Sequence, residues 1–165
     1  MVLLSSKNLL SLIKWAKFIL VILTLSQFNH PCFSAEIKLE AENASLTGVS
    51  KSTSYAGYSG TGYVSGFDNS TDKITFTFNA TSGLYDLLIG FCTPNGEKGY
   101  ELVVNGSSST GMFTYSNTFK EANAGKVFLN EGQNVIIIGN GWGWFYIDYI
   151  RLLPAVTYPP LKPSQ

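Results

Sequence analysis

The chain reads as an all-β protein, a two-sheet sandwich, and three observations predict this. Short runs rich in β-branched and aromatic residues recur from Glu36 to about Pro154. Turn signals separate them: Ser82-Gly83, Pro94-Asn95-Gly96, Asn105-Gly106 and Asn130-Glu131-Gly132. No stretch keeps a 3.6-residue apolar period, so helices are expected to be absent or minor. About nine short strands in one stretch of chain fit two stacked sheets.

The strands are justified in order. Residues 37–42, IKLEAE, alternate apolar and polar. In KITFTFN, Ile74, Phe76 and Phe78 alternate with Lys73, Thr75 and Thr77, which gives one face to a core and one to solvent. YDLLIGFC, YELVVNG, KVFL, NVIIIGN and FYIDYIRLL follow as further strands. Residues 46–70 differ. They are rich in Gly, Ser and Tyr and hold no long apolar run, so they read as a long loop of the kind usually kept for function. Cys92 ends an apolar run and reads as a buried small hydrophobe.

Composition bounds the chemistry. The 165 residues carry 11 basic and 11 acidic side chains. The balance conceals an asymmetry. Lys7, Lys14 and Lys17 precede the apolar run Phe18–Leu25, and no acid occurs before Glu36. This order predicts a secretory signal over residues 1–35, cut after Ser34 or Ala35; a retained anchor is the alternative, though the run is shorter than the ~20 residues a bilayer needs. The remaining part, with 8 basic and 11 acidic side chains, is mildly acidic. A nucleic-acid partner is therefore not expected. His30 and Cys32 fall in the removable part. A Ser-His or Cys-His mechanism and a His or multi-Cys zinc site are excluded beyond it. Sequons at Asn43, Asn69, Asn79 and Asn105 agree with a secreted glycoprotein.

Two constellations stand out. Glu40 and Glu42 are two apart on a predicted strand, and Asp148 is the lone charge inside FYIDYI. First and last strands often neighbour each other in a sandwich. The three acids then either meet at a calcium ion, which suits hard oxygen ligands, or act as solvent-facing acids and a turn cap. The second is NGWGWFY, residues 140–146. An indole on a glycine-opened turn suits stacking on the CH face of a sugar ring. Trp142 is expected exposed and Trp144 in the core. The remaining acids lie in no recognisable catalytic context, and the glycine-rich segments lack the residues of a phosphate loop.

In order, LEAENA, GYSGTGYVSGFDN, GLYDLLIGF, KGYELVVNG and GQNVIIIGNGWGWFYIDYIRL resemble a carbohydrate-binding module of family 35, in the family 6 and 35 clan. The resemblance runs from about Glu36 to Leu153. It implies a jelly-roll, galactose-binding-like sandwich with a structural calcium held by Glu40, Glu42 and Asp148. It also implies a sugar site in loops at one end, with Trp142 foremost and Asn140 beside it. Tyr55, Tyr58, Glu97 and Lys98 are further candidates, and no second calcium is expected. The Pro-rich segment 155–165 resembles the junction to a family 26 β-mannanase.

The expectation is a secreted, non-catalytic module over residues 36–154, binding polysaccharide, with β-mannan or galactomannan foremost. It is expected to be monomeric and free of the membrane after signal cleavage. The alternatives are an N-terminal fragment of a β-mannanase, a small glycosidase or lyase in its own right, and a cell-surface adhesion module.

Overall fold

The computed structural model describes residues 35–155; the expected signal and nearly all of the Pro-rich segment lie outside these. Eleven strands form: β1 (Ile37–Glu40), β2 (Ser45–Thr47), β3 (Ser50–Ser52), β4 (Tyr63–Ser65), β5 (Lys73–Ala80), β6 (Gly83–Thr93), β7 (Lys98–Val104), β8 (Ser107–Phe113), β9 (Ser116–Leu129), β10 (Gly132–Trp142) and β11 (Tyr146–Pro154). The single helical element among the described residues is a 3-10 turn at Ala41–Asn43. No described helix is long and apolar enough to cross a membrane.

The strands make two antiparallel sheets. One runs β3-β4-β11-β6-β9, and β1 also pairs with β11. β1 and β4 share one edge of β11 end to end, with Leu39 opposite Ile150 and Val64 opposite Ile147. The other sheet runs β2-β5-β10-β7-β8. The alternation read from the sequence sets the packing. Ile74 and Phe76 of β5, Ile136 and Ile138 of β10, and Ile147, Ile150 and Leu152 of β11 are buried between the sheets. Aromatic rings fill the end nearest the β10–β11 turn. Phe113 stacks on Phe91 and Tyr100 at 4.4 and 4.2 Å between centroids, and meets Phe145 edge-on at 5.3 Å. Cys92 is buried as expected, and burial pushes its thiol pKa up.

Three features depart from expectation. The long loop over 46–70 holds most of three short strands, β2 and β3 at sheet edges and β4 between β3 and β11. β9 spans 14 residues rather than the four of KVFL. It is an edge strand whose exposed positions carry Lys120, Glu121 and Lys126, so it shows no apolar alternation, and such charges also block edge-to-edge pairing. Glu42 does not lie on a strand, since β1 ends at Glu40 and Glu42 sits in the 3-10 turn.

Gly90 shapes the outer face of the six-stranded sheet. A Cβ there would meet the Tyr149 ring at 2.8 Å, so glycine lets that ring lie across β6. Tyr149 and Arg151 both reach over β6 to Glu121 of β9, which accepts from Tyr149 Oη at 3.2 Å and Arg151 Nε at 2.6 Å.

Candidate functional site

The first site is a carboxylate cluster where β1 meets β11. Glu40 lies opposite Tyr149, next to Asp148. The segment Ser59–Thr61 folds onto both strands. Ser59 N donates to both Asp148 oxygens at 3.0 and 2.9 Å, and Ser59 Oγ donates to Glu40 Oε2 at 2.8 Å. Thr61 N and Oγ1 donate to Glu42 Oε1 at 2.7 and 3.1 Å. Gly60 between them has φ +64°, and a Cβ there would stand 2.5 Å from Glu42 Oε1. Only glycine suits that backbone and that approach.

The cluster is short of positive charge. Lys38 Nζ pairs with Glu40 Oε1 at 2.9 Å. Asp148 makes no ion pair among the described residues, and Lys38, paired to Glu40, only partly offsets its charge. Burial pushes its carboxyl pKa up to about 6, the Ser59 N–H opposes this, and the Glu40 charge adds to the rise. Glu42 is 2% exposed, and its Oε2 is buried with no hydrogen-bond partner. An orphaned buried carboxylate oxygen among all-oxygen donors fits a hard cation. The three acids do not, however, form a ready-made metal cage. No group of three acidic, His or Cys side chains among the described residues has metal-site spacing. Glu40 and Asp148 converge on Ser59, and Glu42 holds Thr61.

The second site is the turn between β10 and β11. Along β10 the even positions Asn134, Ile136, Ile138 and Asn140 are buried. Strict alternation would send Trp142 inward too. A bulge between Asn140 and Trp142 slips the register by one residue and turns the indole to the outer face. There it lies over Gly99 of β7, its cross-strand partner. A Cβ on Gly99 would sit 1.8 Å from Trp142 Nε1. Gly141, inside the bulge, lets β10 approach β7 closely, since a Cβ there would be 2.8 Å from the Gly99 backbone.

Trp144 was expected in the core and is not there. It is 61% exposed, and Trp142 is 60% exposed. Gly143 and Trp144 have φ of +36° and +64°, two successive left-handed residues that turn the chain sharply. The sharp turn hands the core position to Phe145, fully buried and stacked on Phe67 at 4.2 Å. A tryptophan in the left-handed region is strained backbone, of the kind that concentrates at binding sites.

Asn140 was expected as a polar contact beside Trp142. It is 8% exposed, and both ends of its amide are committed. Nδ2 donates to Asn69 O at 3.1 Å, and Oδ1 accepts from Gly143 N at 2.8 Å. Its role is to shape the turn. Asp72 does the same for the adjoining loop, accepting from the N–H groups of Asp68 and Asn69 at 2.8 and 2.6 Å. Asp72 is one of the acids with no catalytic context in the sequence; its place four residues after Asp68, closing a turn, is the signal for this role.

Tyr55 and Tyr58 belong elsewhere. They pack with Phe119, Tyr63 and Tyr146 on the outer face of the six-stranded sheet, not on the sheet that carries Trp142. The Tyr55 hydroxyl donates to Asn117 O. Glu97 and Lys98 immediately precede Gly99, Glu97 exposed just before β7 and Lys98 as its first residue. The sequon residues Asn43, Asn69, Asn79 and Asn105 are all exposed, though Asn105 Nδ2 donates to Asn134 Oδ1 at 2.8 Å.

A sandwich that presents two indoles on a glycine-cut turn has the form of a ligand-binding module. Residues 37–155 match the carbohydrate binding module (family 35) family, and the chain belongs to it. It is 43% identical over 122 residues to a mannan endo-1,4-beta-mannosidase of Thermothelomyces thermophilus, covering 73% of this chain and 25% of that enzyme. Among solved structures, the Podospora anserina GH26-CBM35 β-(1,4)-mannanase matches at 43% identity and a TM-score of 0.74, over 78% of this chain and 30% of that one. A family 35 module from Clostridium thermocellum matches at 25% identity and 0.67, over 73% of this chain and 99% of that one. The chain thus spans about a quarter of the curated mannosidase it matches.

The Gly99 seat is directly testable. Gly99→Ala is expected to displace the indole and weaken polysaccharide binding by about tenfold or more, with the melting temperature near that of the wild type. Affinity electrophoresis and thermal melts of both proteins check this.

Proposed function

We propose that this chain is a secreted, non-catalytic module that binds β-mannan, including galactose-decorated mannan, by stacking sugar rings on Trp142. The observation that carries the reading is the pair of indoles held about three-fifths exposed on a strained turn. A turn selected for stability alone would bury them. Trp144 adds a second ring beside the first. Glu97, exposed just before the Gly99 seat, supplies hydrogen bonds to hydroxyls around the stacked ring. Each stacking contact contributes on the order of 1 kcal/mol, so single soluble sugars bind weakly. The choice of mannan is supported by the mannanase relatives. Tethered to a catalytic domain, such a module acts by raising local substrate concentration. The N-terminal order of lysines and apolar residues supports secretion.

A structural calcium belongs to the same reading. Glu42 would hold it through Oε2, with Glu40 and Asp148 turning from Ser59 to join. The ion would supply the missing positive charge and tie β1 to β11; it takes no part in sugar chemistry.

Two measurements test the reading. Trp142→Ala should abolish retardation in a galactomannan gel and leave the melting temperature nearly unchanged; a large loss of stability would instead make Trp142 a core residue. Calcium at a hundredfold excess over its dissociation constant should stabilise the fold by about 2.7 kcal/mol, read as a rise of several degrees in melting temperature. Glu42→Gln should remove that rise. Identical melts with calcium and with chelator, after confirmed metal removal, would discard the ion.

A further inference from the structure

Trp142 stands at the head of a longer surface. Cross-strand register sets out the outer face of the five-stranded sheet in rows. The first row is Trp142, Gly99 and Met112. The next is Gly139, Glu101 and Thr110, and the third is Ile137, Val103 and Ser108. Alternation points Gly99, Glu101 and Val103 outward, since Tyr100 and Leu102 between them are buried.

Several observations make this face a track and not bare sheet. Met112 is 54% exposed and flanks the indole as a second apolar contact. Glycine at 139 removes a side chain beside Glu101, whose Cβ lies 3.5 Å from where one would start. A shallow cleft of about 370 Å3 on this face is lined by Glu101, Val103, Ser108, Ser109 and Thr110. Glu101 is exposed and has neither a hydrogen bond nor an ion pair among the described residues. From Gly99 to Val103 the strand advances ~13 Å, longer than one sugar ring.

We propose that this face is a binding track contiguous with Trp142, taking the interior of a linear, uncharged polysaccharide chain over several rings. The inference rests on the Trp142 stacking reading and extends it. One ring stacks on Trp142 beside Met112. The next lies over the Gly139 gap, where Glu101 accepts hydrogen bonds from its hydroxyls and Thr110 donates or accepts. A further ring meets Val103 through its CH face and Ser108 through a hydroxyl. The Glu101 carboxylate disfavours an acidic sugar at the second position.

The test is calorimetric titration of residues 36–165 with β-1,4-mannobiose and β-1,4-mannohexaose. Wild-type protein should bind the hexaose about tenfold or more tighter than the biose. Ser108→Arg, at an exposed position under the third ring, should bring the hexaose to within about twofold of the biose while leaving biose affinity and melting temperature unchanged. Hexaose affinity unaltered in Ser108→Arg, with Trp142→Ala still abolishing binding, overturns the track and leaves the stacking reading standing. Trp142→Ala binding both sugars like the wild type overturns the stacking reading and the track together. Binding of neither sugar by the wild type overturns the mannan track as well.

Discussion

The turn between β10 and β11 is where the two sheets are joined through central strands, and it obeys one constraint. Phe145 must enter the core against Phe67 while the tryptophans on either side of Gly143 stay out. Two left-handed residues in succession achieve this reversal, and the bulge before them flips Trp142 to the outer face. Asn140 and Asp72 hold the geometry by filling backbone donors in the turn and the neighbouring loop. Stacking on a flat ligand needs an indole with one face supported and one free. Gly99 provides the support because it has no side chain to compete for the space.

The opposite fault line is electrostatic. β1 and β11 bring acids together with little to neutralise them, and the chain answers with Ser59, Thr61 and Lys38. The raised pKa of Asp148 and the unpartnered Glu42 oxygen are two expressions of the same shortage. Both are what a bound cation would relieve, since a charge in a dry site is stable only when paired. The sheet that carries this cluster and the sheet that carries Trp142 are different, so the buried acids and the exposed indoles are separate features of one scaffold.

Much of the fold was legible because one face of each central strand is buried, and burial writes a period of two into the sequence. β5, β10 and β11 show it plainly. β9 was not legible over most of its length, because an exposed edge strand has no apolar face to display. The acids Glu40, Glu42 and Asp148 were found by type and place, and the structure brings them to one loop. Trp142 was found as exposed for the same reason, its glycine neighbours. Trp144 was misplaced and Gly99 missed because each depends on something nonlocal. A bulge is a property of two strands, and a seat under an indole is visible only once β7 lies beside β10. Tyr55 and Tyr58 were grouped with Trp142, and the structure packs them against the other sheet, because a tyrosine-rich loop does not say which sheet it covers.

Trp15 lies in the expected signal, so Trp142 and Trp144 are the two tryptophans of residues 36–165. Their fluorescence therefore reports on the turn alone. The most direct measurement is the emission spectrum of that protein titrated with soluble galactomannan. Emission typical of water-exposed indole is expected in the free protein, with a saturable blue shift as rings cover Trp142. Emission already blue in the free protein, or binding seen by calorimetry with no change in the spectrum, would contradict the stacking reading.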